Sequence, residues 1–314
     1  MPYQVLTNTP PSDQIRAMLG EECEVKLWQG AETAPALLEG AEGFFCYGHP
    51  KINGTVMDTM PKLRVISNLG VGVDHINLED ARARNIPVGN TPNLVDGATA
   101  DMTFTLLMAA ARNLIIGDRY ARGPEFLKYD PNILHGYDIH GATLGIIGMG
   151  NIGRQVARRA QGFDMKVIYH NRKPNPQAEA ELNVTYATLP DLLRQSDFVT
   201  LNMPLTPETR GMIGREQLRM MKPSAILVNV ARGGVIDHNA LLEALQEKWI
   251  YAAAIDVTEP EPLPRDHSLL QLDNLVIAPH LGSATRQTRR NMAQRAVDNL
   301  KAGLKGEPLP SRIA

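Results

Sequence analysis

The stretch Thr143–Gly153, TLGIIGMGNIG, limits the possible folds more than any other part of the chain. Leu144, Ile146 and Ile147 form a short apolar run, and Gly148, Gly150 and Gly153 follow at G-x-G-x-x-G spacing. Val156, Ala157 and Ala160 then recur at helical spacing within Arg154–Phe163. The pattern predicts a strand, a tight glycine turn and a helix, the unit that grips the phosphates of a dinucleotide. Gly148 permits the turn, Gly150 lets backbone approach a pyrophosphate, and Gly153 lets helix and strand pack closely. The opening turn of the helix offers N–H groups and a positive dipole end to the phosphates. Expected cofactor contacts are therefore Gly148, Met149, Gly150, Asn151, Ile152 and Gly153. The competing reading is an ordinary glycine turn between strand and helix.

A chain of 314 residues suggests about two domains at roughly 150 residues each. Its 32 basic and 34 acidic residues give a net charge of −2, so no bulk field points to nucleic acid or membrane. Cys23 and Cys46 offer neither a disulfide framework nor metal-ligand spacing. MPYQVLTNTPP lacks a basic and apolar leader, and the apolar runs fall short of a membrane span. A cytoplasmic setting is expected.

Val5–Leu6, Val25–Leu27, Gly43–Cys46, Leu63–Ser67 and Pro87–Gly89 are short apolar runs separated by helix-forming stretches. Such alternation predicts a parallel sheet covered by helices ahead of the nucleotide fold. The loop Asn68–Asp74, NLGVGVD, follows one of these strands. Two readings stand for it. Val71 and Gly72 amides hold a substrate carboxylate in an anion-binding nest, or the loop is a plain connection with Asp74 capping the next helix. From Asp96, DGATADMTFTLLMAAARNL predicts a long buried helix. Gly117–Ile139 reads as an irregular arm, unusually long for a compact domain. Arms of this kind pack on partner subunits, so a homodimer is expected.

Met165–His170 is the next strand, and its end is where such folds test the adenosine ribose. An acidic residue is expected about 20 residues beyond the glycine loop when the 2′-hydroxyl is free. This chain has His170, Asn171, Arg172 and Lys173 there instead. Asn171 is polar, Arg172 can fork onto a 2′-phosphate, and Lys173 adds charge. The pattern favours NADP(H) over NAD(H), the alternative being a solvated basic turn. The runs at Phe198–Met203, Ala225–Val230, Tyr251–Val257 and Leu275–Ala278 bring the count in this half to about six strands, a complete doubly wound domain. Helical stretches are expected from Thr206, at Arg215–Met221 and at Asp237–Glu247. Three strand ends carry chemistry: Arg232, Glu261 in the turn TEPEPLP, and His280 after Pro279. Together they read as a cation, an acid and an imidazole at one catalytic edge. Singly they read as a loop cation, a turn carboxylate and a capping histidine.

The motifs NLGVGVD, GATADMTFTLLMAAARN, TLGIIGMGNIG, LNMPLTPET, LVNVARGGVID, AIDVTEPEPLP and APHLGSAT, in this order, resemble the D-isomer-specific 2-hydroxyacid dehydrogenases over nearly the whole chain. The resemblance implies two doubly wound parallel-sheet domains. A Rossmann nucleotide domain at residues 98–284 would be inserted in a smaller flavodoxin-like substrate domain, residues 1–97 plus 285–314. The final helix, Ser283–Lys301, would return to the first domain, and the active site would lie in a cleft that closes on substrate. The resemblance makes Arg232 the substrate-binding arginine, His280 the acid–base and Glu261 its partner. It makes Asp256 a contact of the nicotinamide amide, and Val71 and Gly72, with Arg232 and His280, the substrate contacts. Pro204, Thr209, Val230, Arg232, His280 and Gly282 join the expected cofactor contacts.

Within that family the chain is most similar to glyoxylate/hydroxypyruvate reductases, several of which use NADPH. The expected reaction is NADPH-dependent reduction of a small 2-oxo acid to the D-2-hydroxy acid. The alternatives are an NAD-dependent enzyme of the D-3-phosphoglycerate or another D-2-hydroxyacid type, and a dinucleotide-sensing, co-repressor-like interaction protein. Phe126 and Tyr129 stand in the arm where reductases of this group often carry Trp, which bears on substrate size. No C-terminal regulatory extension of the kind found in many 3-phosphoglycerate dehydrogenases is expected. Glu261, where formate dehydrogenases carry Gln, argues against that group.

Overall fold

The strands are short, apolar and parallel, and they form two sheets. The computed structural model describes residues 1–314, which divide into two units: Met1–Val95 with Thr285–Ala314, and Asp96–Ala284.

In the first unit the strands are β1 (Tyr3–Thr7), β2 (Cys23–Leu27), β3 (Gly43–Cys46), β4 (Val65–Asn68) and β5 (Val88–Gly89). Their spatial order is β2-β1-β3-β4-β5, the flavodoxin-like order of a doubly wound sheet. Every residue of β3 and β4 is buried, as expected of parallel strands covered on both faces. The helix Arg286–Lys305 packs on β3, β4 and β5. It starts and ends later than the expected Ser283–Lys301. Thr285 caps it by accepting from the Thr288 N–H, so the residues before Thr285 belong to a turn.

In the second unit the strands are β6 (Thr143–Ile147), β7 (Lys166–His170), β8 (Thr185–Tyr186), β9 (Phe198–Leu201), β10 (Ile226–Asn229), β11 (Ala252–Ile255) and β12 (Leu275–Ile277). Their order is β12-β11-β10-β9-β6-β7-β8. Strand order reverses between β6 and β9, so the glycine loop leaves β6 at the switch point where such sheets bind ligands. The sheet has seven strands, one more than the sequence suggests. The extra strand, β8, pairs only two residues with β7 at the edge, too few to show a period.

The helix Asp96–Ala111 is buried over much of its circumference and packs against β10 and β11. The hydroxyls of Thr103 and Thr105 donate to the carbonyls of Thr99 and Asp101 in the same helix, so burial of Thr103 leaves no donor unmet. Two expectations about loops are corrected. The arm is irregular only after Gly123, because Leu114–Arg122 is a helix. Thr206–Thr209 forms a turn and not a helix: Thr209 donates its N–H to the Thr206 carbonyl and its hydroxyl to the Pro204 carbonyl. No helix is long and apolar enough to cross a membrane.

Candidate active site

The glycine loop shows why two of its glycines are required by packing. Gly148 has φ +100, and a Cβ there would meet the Met203 nitrogen at 2.7 Å. A Cβ on Gly153 would meet the Gly148 carbonyl oxygen at 2.2 Å. Gly150 differs, because a Cβ there meets no atom of the chain within 4 Å. Nothing in the chain's own packing demands glycine at that position, whereas close approach of a pyrophosphate does. The helix Asn151–Gln161 begins just after it without a side-chain cap, leaving first-turn N–H groups for an anion. These features fit a dinucleotide. The amide of Met149 is committed elsewhere, since it donates to Oδ1 of Asn171 at 2.8 Å. Asn171 thus ties the end of β7 to the glycine loop, a role that its place in the sequence did not suggest.

Arg172 and Lys173 follow on the exposed surface. Glu208 is the nearby acid. The Thr206 hydroxyl, and more weakly the Arg172 charge, hold its carboxyl below the usual range. His170 lies at the same strand end, with Nδ1 against the Ala187 carbonyl at 3.0 Å.

β10, β11 and β12 are neighbouring parallel strands, so the residues after them emerge at one edge of the sheet. Arg232 follows β10 in a turn fastened by Asn229, a fully buried residue. Asn229 donates to the Arg232 carbonyl at 2.9 Å and accepts the Ala231 N–H at 3.0 Å. Val230 is buried in this turn. Asp256 follows β11 and is 2% exposed. Its two carboxylate oxygens accept the N–H groups of Leu281 and Gly282 at 2.6 and 2.7 Å. Burial pushes this carboxyl above the usual range, against the pull of the two amides. Asp256 therefore organises the loop carrying His280, and Gly282 belongs to that clamp. The family resemblance implies that Asp256 contacts the nicotinamide amide, and the clamp gives it a structural task beside that expected one.

His280 has φ +57, a left-handed conformation uncommon for a residue with a side chain and worth attention at a functional site. Its N–H donates to the Asp256 carbonyl at 2.9 Å. Its Nδ1 lies 2.6 Å from Oε1 of Glu261, and both side chains remain about one-third exposed. The second Glu261 oxygen accepts the Thr258 N–H at 3.3 Å. A carboxylate at Nδ1 holds the ring in one orientation, with Nε2 at its opposite side. Pro204 and Thr209 lie in the turn after β9, bonded to each other. Val71 and Gly72 belong to the first unit, in the loop after β4.

Residues 104–282 match the model of the D-isomer specific 2-hydroxyacid dehydrogenase, NAD binding domain. A glyoxylate reductase of Thermococcus kodakarensis is 43% identical over 99% of this chain and 96% of its own length. A crystal structure of an NADPH-dependent glyoxylate/hydroxypyruvate reductase from Sinorhizobium meliloti, in complex with NADP and malonate, is 30% identical. It aligns with a TM-score of 0.90 over 99% of this chain and 96% of that one. A D-lactate dehydrogenase from Aquifex aeolicus, complexed with NAD and lactic acid, is 28% identical with a TM-score of 0.86, covering 97% and 96% of the two chains. The chain belongs to the D-isomer specific 2-hydroxyacid dehydrogenases, oxidoreductases that act on a hydroxyl or oxo group with a nicotinamide dinucleotide.

Proposed function

We propose that the protein reduces a small 2-oxo acid, of the glyoxylate or hydroxypyruvate type, to the D-2-hydroxy acid with NADPH. The observation that carries the reading is the His280–Glu261 pair, 2.6 Å apart, at the sheet edge from which Arg232 also emerges. A dinucleotide held at Gly148–Gly153 would supply the hydride for C2 of the substrate. Arg232 binds the carboxylate and polarises the ketone oxygen through charge-assisted hydrogen bonds. His280, as imidazolium, gives its Nε2 proton to that oxygen as it becomes the hydroxyl. Glu261 orients the ring through Nδ1. In the first unit the amides of Val71 and Gly72 hold the substrate carboxylate. The test is loss of NADPH absorbance on adding glyoxylate or hydroxypyruvate, compared with pyruvate and bulkier oxo acids. Turnover of the two small acids is the expected result, and inertness towards every 2-oxo acid would overturn the reading.

The coenzyme preference rests on the strand end of β7, where Asn171, Arg172 and Lys173 stand and no carboxylate does. An arginine–phosphate interaction is worth about 1.5–3 kcal/mol, roughly 10- to 100-fold in affinity. Arg172→Asp is therefore expected to move the ratio of kcat/KM for NADPH over NADH by that factor towards NADH. A wild-type preference for NADH would sink the 2′-phosphate argument.

A homodimer is the proposed assembly. After Gly123 the arm exposes Leu127 at 88% and Tyr129 at 80%, and the helix Leu114–Arg122 before it buries none of its residues. Contiguous apolar exposure of this kind marks an interaction surface. Light scattering should give twice the chain mass of 34.5 kDa; a single-chain mass would contradict the assembly.

A further inference from the structure

The loop NLGVGVD, proposed above to bind the substrate carboxylate, is held from behind by two asparagines. Asn68 closes β4 and is 1% exposed; Asn90 follows β5 and is 7% exposed. The Asn68 amide nitrogen donates to the Gly70 carbonyl at 3.1 Å and the Gly72 carbonyl at 3.0 Å. The Asn90 amide nitrogen donates to the Val71 carbonyl between them at 2.9 Å. All three successive carbonyls are thereby fixed. A trans peptide is planar, and its N–H points opposite to its C=O. Fixing the Gly70 carbonyl therefore aims the Val71 N–H, and fixing the Val71 carbonyl aims the Gly72 N–H.

Each asparagine is itself anchored. Oδ1 of Asn68 lies 3.1 Å from Nε2 of His75, and the same nitrogen lies 3.3 Å from Sγ of Cys46. Cys46 ends β3 in register with Asn68. Burial pushes its thiol up to about 12, so the imidazole faces a neutral sulfur. Asn90 is fixed through its backbone. Its carbonyl accepts from Nδ2 of Asn299 at 2.9 Å and from the Ser311 hydroxyl at 2.6 Å. Only a side-chain amide supplies two donors on one atom beside an acceptor in so small a volume. Aspartate at position 68 would keep the shape and the His75 contact but lose both donations to the loop. A Cβ on Gly70 would press on the Asn68 amide at 3.3 Å, so that glycine belongs to the same device.

We infer that Asn68 and Asn90 are positioning residues for carboxylate recognition: by holding the Gly70 and Val71 carbonyls they aim the Val71 and Gly72 amides at the substrate. The inference rests on the proposed reading of the site, and wild-type activity with glyoxylate is therefore established first. If the wild type reduces no 2-oxo acid, the functional reading has failed before any variant is made. Given activity, Asn68→Leu, Asn68→Asp and Asn90→Leu are assayed with glyoxylate and with its methyl ester, in which the carboxylate is masked. Each single variant is expected to raise KM for glyoxylate roughly 3- to 10-fold. The dissociation constant of NADPH and kcat/KM for the ester should stay within about twofold. A purely structural role would depress both substrates together. An unchanged KM for glyoxylate, or parallel loss of ester turnover or NADPH binding in all three variants, would overturn the inference.

Discussion

Replacing His280 with alanine is expected to lower turnover of the 2-oxo acid by about 10²–10⁴-fold, the usual contribution of a positioned acid–base group. NADPH binding, followed by fluorescence titration, should be nearly unchanged. The split follows from where His280 sits. Its ring meets Glu261 through Nδ1, while the glycine loop belongs to β6 and the helix after it. The left-handed backbone at His280 complicates the alanine variant, since a left-handed residue with a Cβ costs on the order of 1–2 kcal/mol. His280→Asn removes the imidazole with a residue that accepts that conformation more readily. Both variants should lose turnover alike. If the alanine variant alone is inactive, or if either loses NADPH affinity in proportion to turnover, His280 is holding the loop and not moving a proton.

Arg232→Ala is expected to fall mainly on the oxo acid. Two charge-assisted hydrogen bonds at about 1.5–3 kcal/mol each place the loss in kcat/KM at roughly 10²–10⁴-fold, with most of it appearing as a higher KM. The turn itself should survive, because Asn229 fastens it through backbone atoms of Ala231 and Arg232. Arg232→Lys should recover only part of the loss, as an ammonium supplies charge without the planar fork. Steady-state kinetics over a range of glyoxylate at saturating NADPH checks this. An unchanged KM for the acid would remove Arg232 from the substrate site.

Much of the architecture was legible because parallel strands buried on both faces write themselves as unbroken apolar runs. GFFC, VISN and ILVN are wholly buried strands. What escaped reading had weak local signals. β8 is two residues long. The helix Leu114–Arg122 buries no residue, so it shows no core-facing stripe to distinguish it from an arm. Thr206 and Pro207 resemble a helix start, yet the threonines satisfy each other and Pro204 in a turn. The candidate site divides in the same way. Arg232, Glu261 and His280 stood out because charged or titratable residues follow apolar strands. Asn68, Asn90 and Asn229 did not, because asparagine at a strand end is also ordinary turn chemistry.

The sequence by itself determined the order of strand, glycine turn and helix, the two doubly wound sheets, and which chemical groups reach the strand ends. These follow from side-chain volume, polarity and spacing, which are properties of short segments. Only the tertiary structure decided how those groups are aimed. It bound Met149 to Asn171, turned Asp256 towards the amides beneath His280, and set two asparagines behind the loop at Val71 and Gly72. Each of these bonds depends on the direction of a peptide plane and on segments brought together by the sheet. Hydrogen bonds act over about 3 Å and within a narrow range of angles, so they are specified by the packed backbone and not by the residue types alone.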